Sequence, residues 1–204
     1  MMAAHPKRVS FRGCMKVLLS FVLLLAVVLN AIVAPAQAAD APRVSRSMLV
    51  AMEKSLDNRV TRLWDDNPFI MLGPTRGVYL DGYGAVFTAE INLVAGPGNM
   101  MMFLGPITKE GAEAHRQKKL TRVAELKRAM RLALVETAAS MDTIPAEEQI
   151  TIVAFLSKYP WEEMKDVPLQ ISMQGQKKRL LEAQRQGPAA AALLDEAISV
   201  QTTY

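Results

Sequence analysis

Gly77-Val78-Tyr79-Leu80-Asp81-Gly82-Tyr83-Gly84-Ala85-Val86-Phe87-Thr88-Ala89-Glu90-Ile91-Asn92-Leu93 carries the clearest β signal in the chain. Two apolar arms flank Asp81-Gly82-Tyr83-Gly84. The glycines of that loop supply positive φ and Asp81 can bond nearby amides, so the stretch reads as a hairpin. In the second arm Phe87, Ala89, Ile91 and Leu93 alternate with Val86, Thr88, Glu90 and Asn92. One face is apolar and the other mostly polar, the pattern of a strand packed on one side.

Upstream, Val44, Met48, Met52, Leu56, Val60 and Leu63 recur at helical spacing and predict a helix over Arg43–Trp64, stopped at Asp65-Asp66-Asn67-Pro68. Phe69–Leu72 is a short strand closed by Gly73-Pro74. Downstream, a long helix is expected from about Lys109 to Met141, with Leu120, Val123, Met130, Leu134, Ala138 and Met141 on its buried face. Ile150–Leu156 is apolar on both faces and belongs inside a sheet. Leu169, Ile171 and Met173 alternate with Gln170, Ser172 and Gln174, as a half-exposed strand should. A helix over Gln176–Gln186 follows, then a final helix over Ala189–Val200 with Pro188 in its first turn. The order is that of an α+β fold: an antiparallel sheet of four or five strands packed with a long central helix and flanking N- and C-terminal helices.

The first 38 residues read as a cleavable export leader. His5, Lys7, Arg8, Arg12 and Lys16 precede an apolar run from Val17 to Leu29, and Ala36-Gln37-Ala38 forms a small-x-small site with cleavage expected between Ala38 and Ala39. The apolar run is short for a spanning helix, which needs ~20 apolar residues. Residues 39–42 form a flexible lead-in and 43–204 a single domain. The whole chain holds 24 Lys+Arg against 20 Asp+Glu. Four of those bases and no acid lie in 1–38, so the body of the protein is charge-balanced. Nucleic acid and a stable membrane anchor are therefore not expected partners. Cys14, the one cysteine, precedes the apolar run, which leaves an exported body without thiol or disulfide.

No catalytic constellation stands out. His115 is expected on an exposed basic turn of the long helix, and no Gly-x-Ser-x-Gly turn marks a nucleophile. One histidine and no cysteine make a poor metal set, so neither metal nor cofactor is expected. Paired carboxylates (Asp65-Asp66, Asp81, Glu90, Glu147-Glu148, Glu162-Glu163-Asp166) are placed for solvated faces and element ends, with acid–base hydrolysis as the alternative. Arg116, Lys118, Lys119, Arg122, Lys127, Arg128 and Arg131 spread around the long helix and read as solvated. The least ordinary feature is Met100-Met101-Met102-Phe103-Leu104, an apolar run between Gly96-Pro97-Gly98 and Gly105-Pro106. Methionine suits surfaces that adapt to varied apolar shapes. Met100, Met101, Met102, Phe103 and Leu104, with Tyr83 next, are the expected contacts to an envelope protein or to a small apolar ligand. Trp161 is a further candidate, and the last helix leaves room for a homo-oligomer.

Overall fold

The computed structural model describes residues 44–64, 69–96, 107–163, 165–186 and 190–204. The chain runs α1 (Arg46–Thr61), β1 (Ile70–Met71), β2 (Arg76–Leu80), β3 (Gly84–Asn92), α2 (Lys109–Ser140), β4 (Gln149–Leu156), β5 (Gln170–Gln176), α3 (Lys177–Arg185), α4 (Ala190–Ala197) and β6 (Ser199–Thr203). The fold is α+β, with these four helices and a mixed six-stranded sheet among the described residues.

β1 and β2 run end to end along one side of β3, and the sheet continues β3-β4-β5-β6. Met71 lies opposite Ile91 and Arg76 opposite Thr88, so Leu72–Thr75 fill a span that Ala89 and Glu90 cover alone. The edge bulges there, at the site of Gly73-Pro74, where proline does not interrupt a ladder. Two expectations need correction. The sheet is not antiparallel throughout, because β3 and β4 pair in parallel. One long helix lies between them in sequence; it carries the chain back to the starting end of β3, so the next strand must run the same way. The last helix does not reach Val200 but ends at Ala197, and Ser199–Thr203 pairs with β5 as a sixth strand. Val200, Thr202 and Thr203 are β-branched and suit a pleated edge better than a helix end.

The register sets Phe87, Ile152 and Met173 side by side across three strands, all buried. Ile150, Ile152, Ala154 and Leu156 of β4 join the core with Leu56 of α1, Leu126, Met130 and Leu134 of α2, and Leu180 of α3. The intervening Thr151, Val153 and Phe155 face the other side, outside that core, and Phe155 is 44 % exposed. β4 is thus the central strand, as its two-sided apolar sequence requires.

The helix ends are held by named groups. Ser45 Oγ accepts from the Met48 amide at 3.2 Å, and Thr108 Oγ1 from the Gly111 amide at 3.1 Å. At the other end of α2, buried Lys177 donates from Nζ to the carbonyls of Met141 (2.8 Å), Asp142 (3.2 Å) and Ile144 (2.7 Å). A cation there complements the negative end of the helix dipole. Gly84 allows β3 to start against β4: its φ is 127°, and a Cβ would lie 1.9 Å from the Gln149 carbonyl oxygen.

At the β2 edge, α1 supplies side chains to the outward backbone. Buried Glu53 receives the Gly77 amide at 2.7 Å and holds Arg46 through two contacts of 2.8 and 3.1 Å. Arg46 Nη1 in turn donates to the Gly77 carbonyl at 3.1 Å, and Asp57 receives the Thr75 amide at 2.9 Å. Burial pushes the Glu53 carboxyl upward; the Gly77 amide and the Arg46 guanidinium together outweigh it and hold it below its ordinary value.

Candidate functional site

α2 is 32 residues long, about 48 Å at the helical rise, against about 26 Å for the eight residues of β4. Its N-terminal half therefore overhangs the sheet and needs another surface to pack on. The segment after β4 provides it. His115, Lys119 and Arg122 continue the phase of Leu126 along α2 at spacings of four, three and four, and so turn inward with the core stripe. Two of the seven bases expected to be solvated are buried as a result, Lys119 and Arg122.

Lys119 Nζ donates to Glu162 Oε2 at 2.5 Å and to the Ser157 carbonyl at 3.1 Å, which ties down both ends of the segment 157–162. Its side chain is 2 % exposed and that of Glu162 5 %. His115 Nε2 stands 2.7 Å from Glu162 Oε1, a close contact off the straight hydrogen-bond line that carries charge when the imidazole is protonated. His115 is therefore not on an exposed turn: its ring meets Trp161 edge-on at 4.9 Å. Tyr159 and Trp161 stack at 5.5 Å and 4°, and Lys119 Nζ lies 5.9 Å from the Tyr159 ring centre. Burial pushes Glu162 upward, but His115 and Lys119 together hold it below its ordinary value; burial lowers Lys119, opposed by Glu162. Beside this cluster, Arg122 donates to the Leu93 carbonyl at 2.5 Å and lies 4.9 Å from the Trp64 ring.

Against Trp161 opens a cleft of about 600 Å³, walled by Ile107, Thr108, Ala112, Arg116, Trp161 and Glu163. Its apolar part is Ile107, Ala112 and the half-buried indole; its rim is charged. Arg116 is already engaged, bonded twice to Glu113 and once to the Lys165 carbonyl. The two bonds from Arg116, with one from Gln117, hold Glu113 down at about 2. The cleft matches the size of small-molecule sites, roughly 300–1,000 Å³. A second cavity, lined by Leu56, Phe87, Ile91, Leu126, Met130 and Ile152 of the core, measures only about 30 Å³.

Met100, Met101, Met102, Phe103 and Leu104 lie outside the described residues, as do Ala38 and Ala39. The residues from which their loop departs and to which it returns do not. Gly96 packs on Tyr159, with its amide donating to the Tyr159 hydroxyl at 2.8 Å, and Ile107 walls the cleft. Gly96 and Ile107, the described residues on either side of that segment, thus stand at the Tyr159–Trp161 cluster. Tyr83 does not. It sits before the opposite end of β3, a strand of nine residues or about 30 Å. There its hydroxyl meets Thr151 Oγ1 at 3.1 Å and Gln174 Oε1 at 3.3 Å across the sheet, with 39 % of the residue exposed.

Two of the carboxylates are engaged by local donors. Glu90 accepts from the Ser157 hydroxyl at 2.7 Å, and buried Glu148 accepts from the Tyr79 hydroxyl and the Gly82 amide, both at 3.1 Å. Glu147, Glu163 and Asp166 are exposed, and Asp65 and Asp66 lie outside the described residues. Among the described residues no three metal-binding side chains stand together, and no helix is long and apolar enough to cross a membrane. Taken together the seven bases spread around α2, and that spread hides the three inward-facing positions. The signal was present in the phase: His115-Lys119-Arg122 extends the Leu126 stripe. Comparison of the chain with protein-family models, curated proteins and solved structures finds no match.

Proposed function

We propose that this chain is an exported, non-enzymatic binding module of a bacterial-type cell envelope, freed of its leader between Ala38 and Ala39. It docks a protein partner at the N-terminal end of α2, with Met100–Leu104 and Trp161 as the contacts. The observation that carries this reading is the placement of the two described residues that flank the Met-rich segment: Gly96 on Tyr159, which stacks on Trp161, and Ile107 in the wall of the cleft of about 600 Å³ that Trp161 lines. An apolar side chain from a partner fits such a cleft, and methionine is a side chain that adapts to a varied apolar surface. The Lys119–Glu162–His115 network below is internally charge-compensated and serves to hold Trp161 in place.

A carrier of a small apolar ligand is the second reading, favoured by the volume of the same cleft. Native mass spectrometry of protein from its own host separates the two, since a retained small molecule indicates the carrier. The docking reading is tested by placing a photo-crosslinking amino acid at Met101 or Phe103 in host cells. The expected result is an adduct of one defined mass, diminished by Trp161→Ala. No adduct, or the same products from exposed Arg62, would overturn it.

A further inference from the structure

The two edges of the sheet are treated differently. Along β2, α1 takes up outward backbone groups: Gly77 by Glu53 and Arg46, Thr75 by Asp57. At the other edge, β6 is the last strand of the sheet, and no described strand pairs with its outer side. Ser199, Val200, Gln201 and Thr203 are exposed. Its register with β5 is unbroken, without a bulge, and Ser199-Val200-Gln201-Thr202-Thr203 holds neither charge nor proline. Those are the devices that ordinarily guard an edge against pairing.

We propose that β6 is a dimerisation strand: two copies of this chain join by antiparallel pairing of Ser199–Thr203 about a twofold axis at Gln201. An identical strand run the other way sets Gln201 opposite itself, Val200 opposite Thr202 and Ser199 opposite Thr203. Amide meets amide, hydroxyl meets hydroxyl, and one β-branched residue meets another. Such cross-strand pairs are favourable and set no like charges face to face. The guarded β2 edge decides the geometry. With its Gly77 and Thr75 backbone groups already bonded to α1, that edge is a poorer partner for β6 than a second β6 is, which favours pairing that closes at two chains over a fibre. The ribbon is narrow compared with a standard interface of ~1,600 Å², so a weak, concentration-dependent dimer is expected. The site is separate from the cleft at α2, and the inference stands without the docking reading.

Sedimentation of the full chain from low micromolar to about 0.5 mM tests it. Wild type is expected to shift reversibly from monomer to dimer. Gln201→Lys and Gln201→Glu each set like charges at the axis and are expected to weaken the dimer at least ~10-fold, while an equimolar mixture of the two regains it. Circular dichroism confirms that each variant is folded, which the exposure of Gln201 favours. A wild type monomeric at the top concentration overturns the inference, as does one whose β6 instead captures a foreign extended segment. A dimer indifferent to both charges, or a mixture that fails to recover, overturns it equally.

Discussion

Lys119→Met keeps the length of the buried side chain and deletes its charge. Glu162 then keeps only the off-line His115 contact from the network that compensated it. With the two side chains 2 % and 5 % exposed, solvent does little to replace the lost partner. Removing one member of a buried pair costs ~3–5 kcal/mol, and the retained imidazole at 2.7 Å places the expectation near the lower figure. Glu162→Leu alone strands Lys119 in the same way, whereas Lys119→Met with Glu162→Leu leaves no unpaired charge between them. The double variant is therefore expected to recover ~1–3 kcal/mol relative to the sum of the single losses. Equilibrium urea unfolding at neutral pH, with the denaturant slope unchanged, measures all four corners of the cycle. Acid adds a test of sign. In the wild type Glu162 titrates below its ordinary value, so its contribution is intact above pH 4.5 and lost only as pH falls further. In Lys119→Met burial is far less opposed and the carboxyl takes its proton sooner, so the gap to wild type narrows as pH falls from neutrality. A single loss under about 1 kcal/mol, simple additivity, or a gap that widens with acid refutes the network.

Three further outcomes are expected. Gly84→Ala forces a Cβ toward the Gln149 carbonyl at a backbone with φ of 127°, so calorimetry should record a loss of about 3 kcal/mol or more. Glu53→Gln removes the charge that holds Arg46 and weakens the bond to the Gly77 amide; urea unfolding should show a loss of about 1–3 kcal/mol, with faster amide exchange at Gly77. Burial, then Glu148, pushes the Tyr79 phenol from 10.0 up to about 12. A raised phenol favours the fold while neutral, so that stability is whole below pH 10 and is lost as pH rises to 12. Thermal melts of Tyr79→Phe should therefore lack the part of the alkaline decline that wild type shows in this window.

The sequence alone determined what depends on local pattern. The Gly77–Leu93 hairpin, the interior position of Ile150–Leu156 and the long second helix followed from alternation, two-sided apolarity and a four-three stripe, because burying one face requires those periods. Strand direction and charge burial were decided in three dimensions. Whether β4 lies parallel to β3 depends on where α2 delivers the chain. Whether Ser199 and Val200 end a helix or begin an edge strand depends on whether β5 has a free side. Lys119, Arg122 and Glu162 read as surface charges because each alone would be costly to bury. Only the fold brings Glu162 from 43 residues away to Lys119, and Gly77 from 24 residues away to Glu53. A buried charge is permitted by its partner, and a partner that distant in the chain is chosen by the tertiary structure.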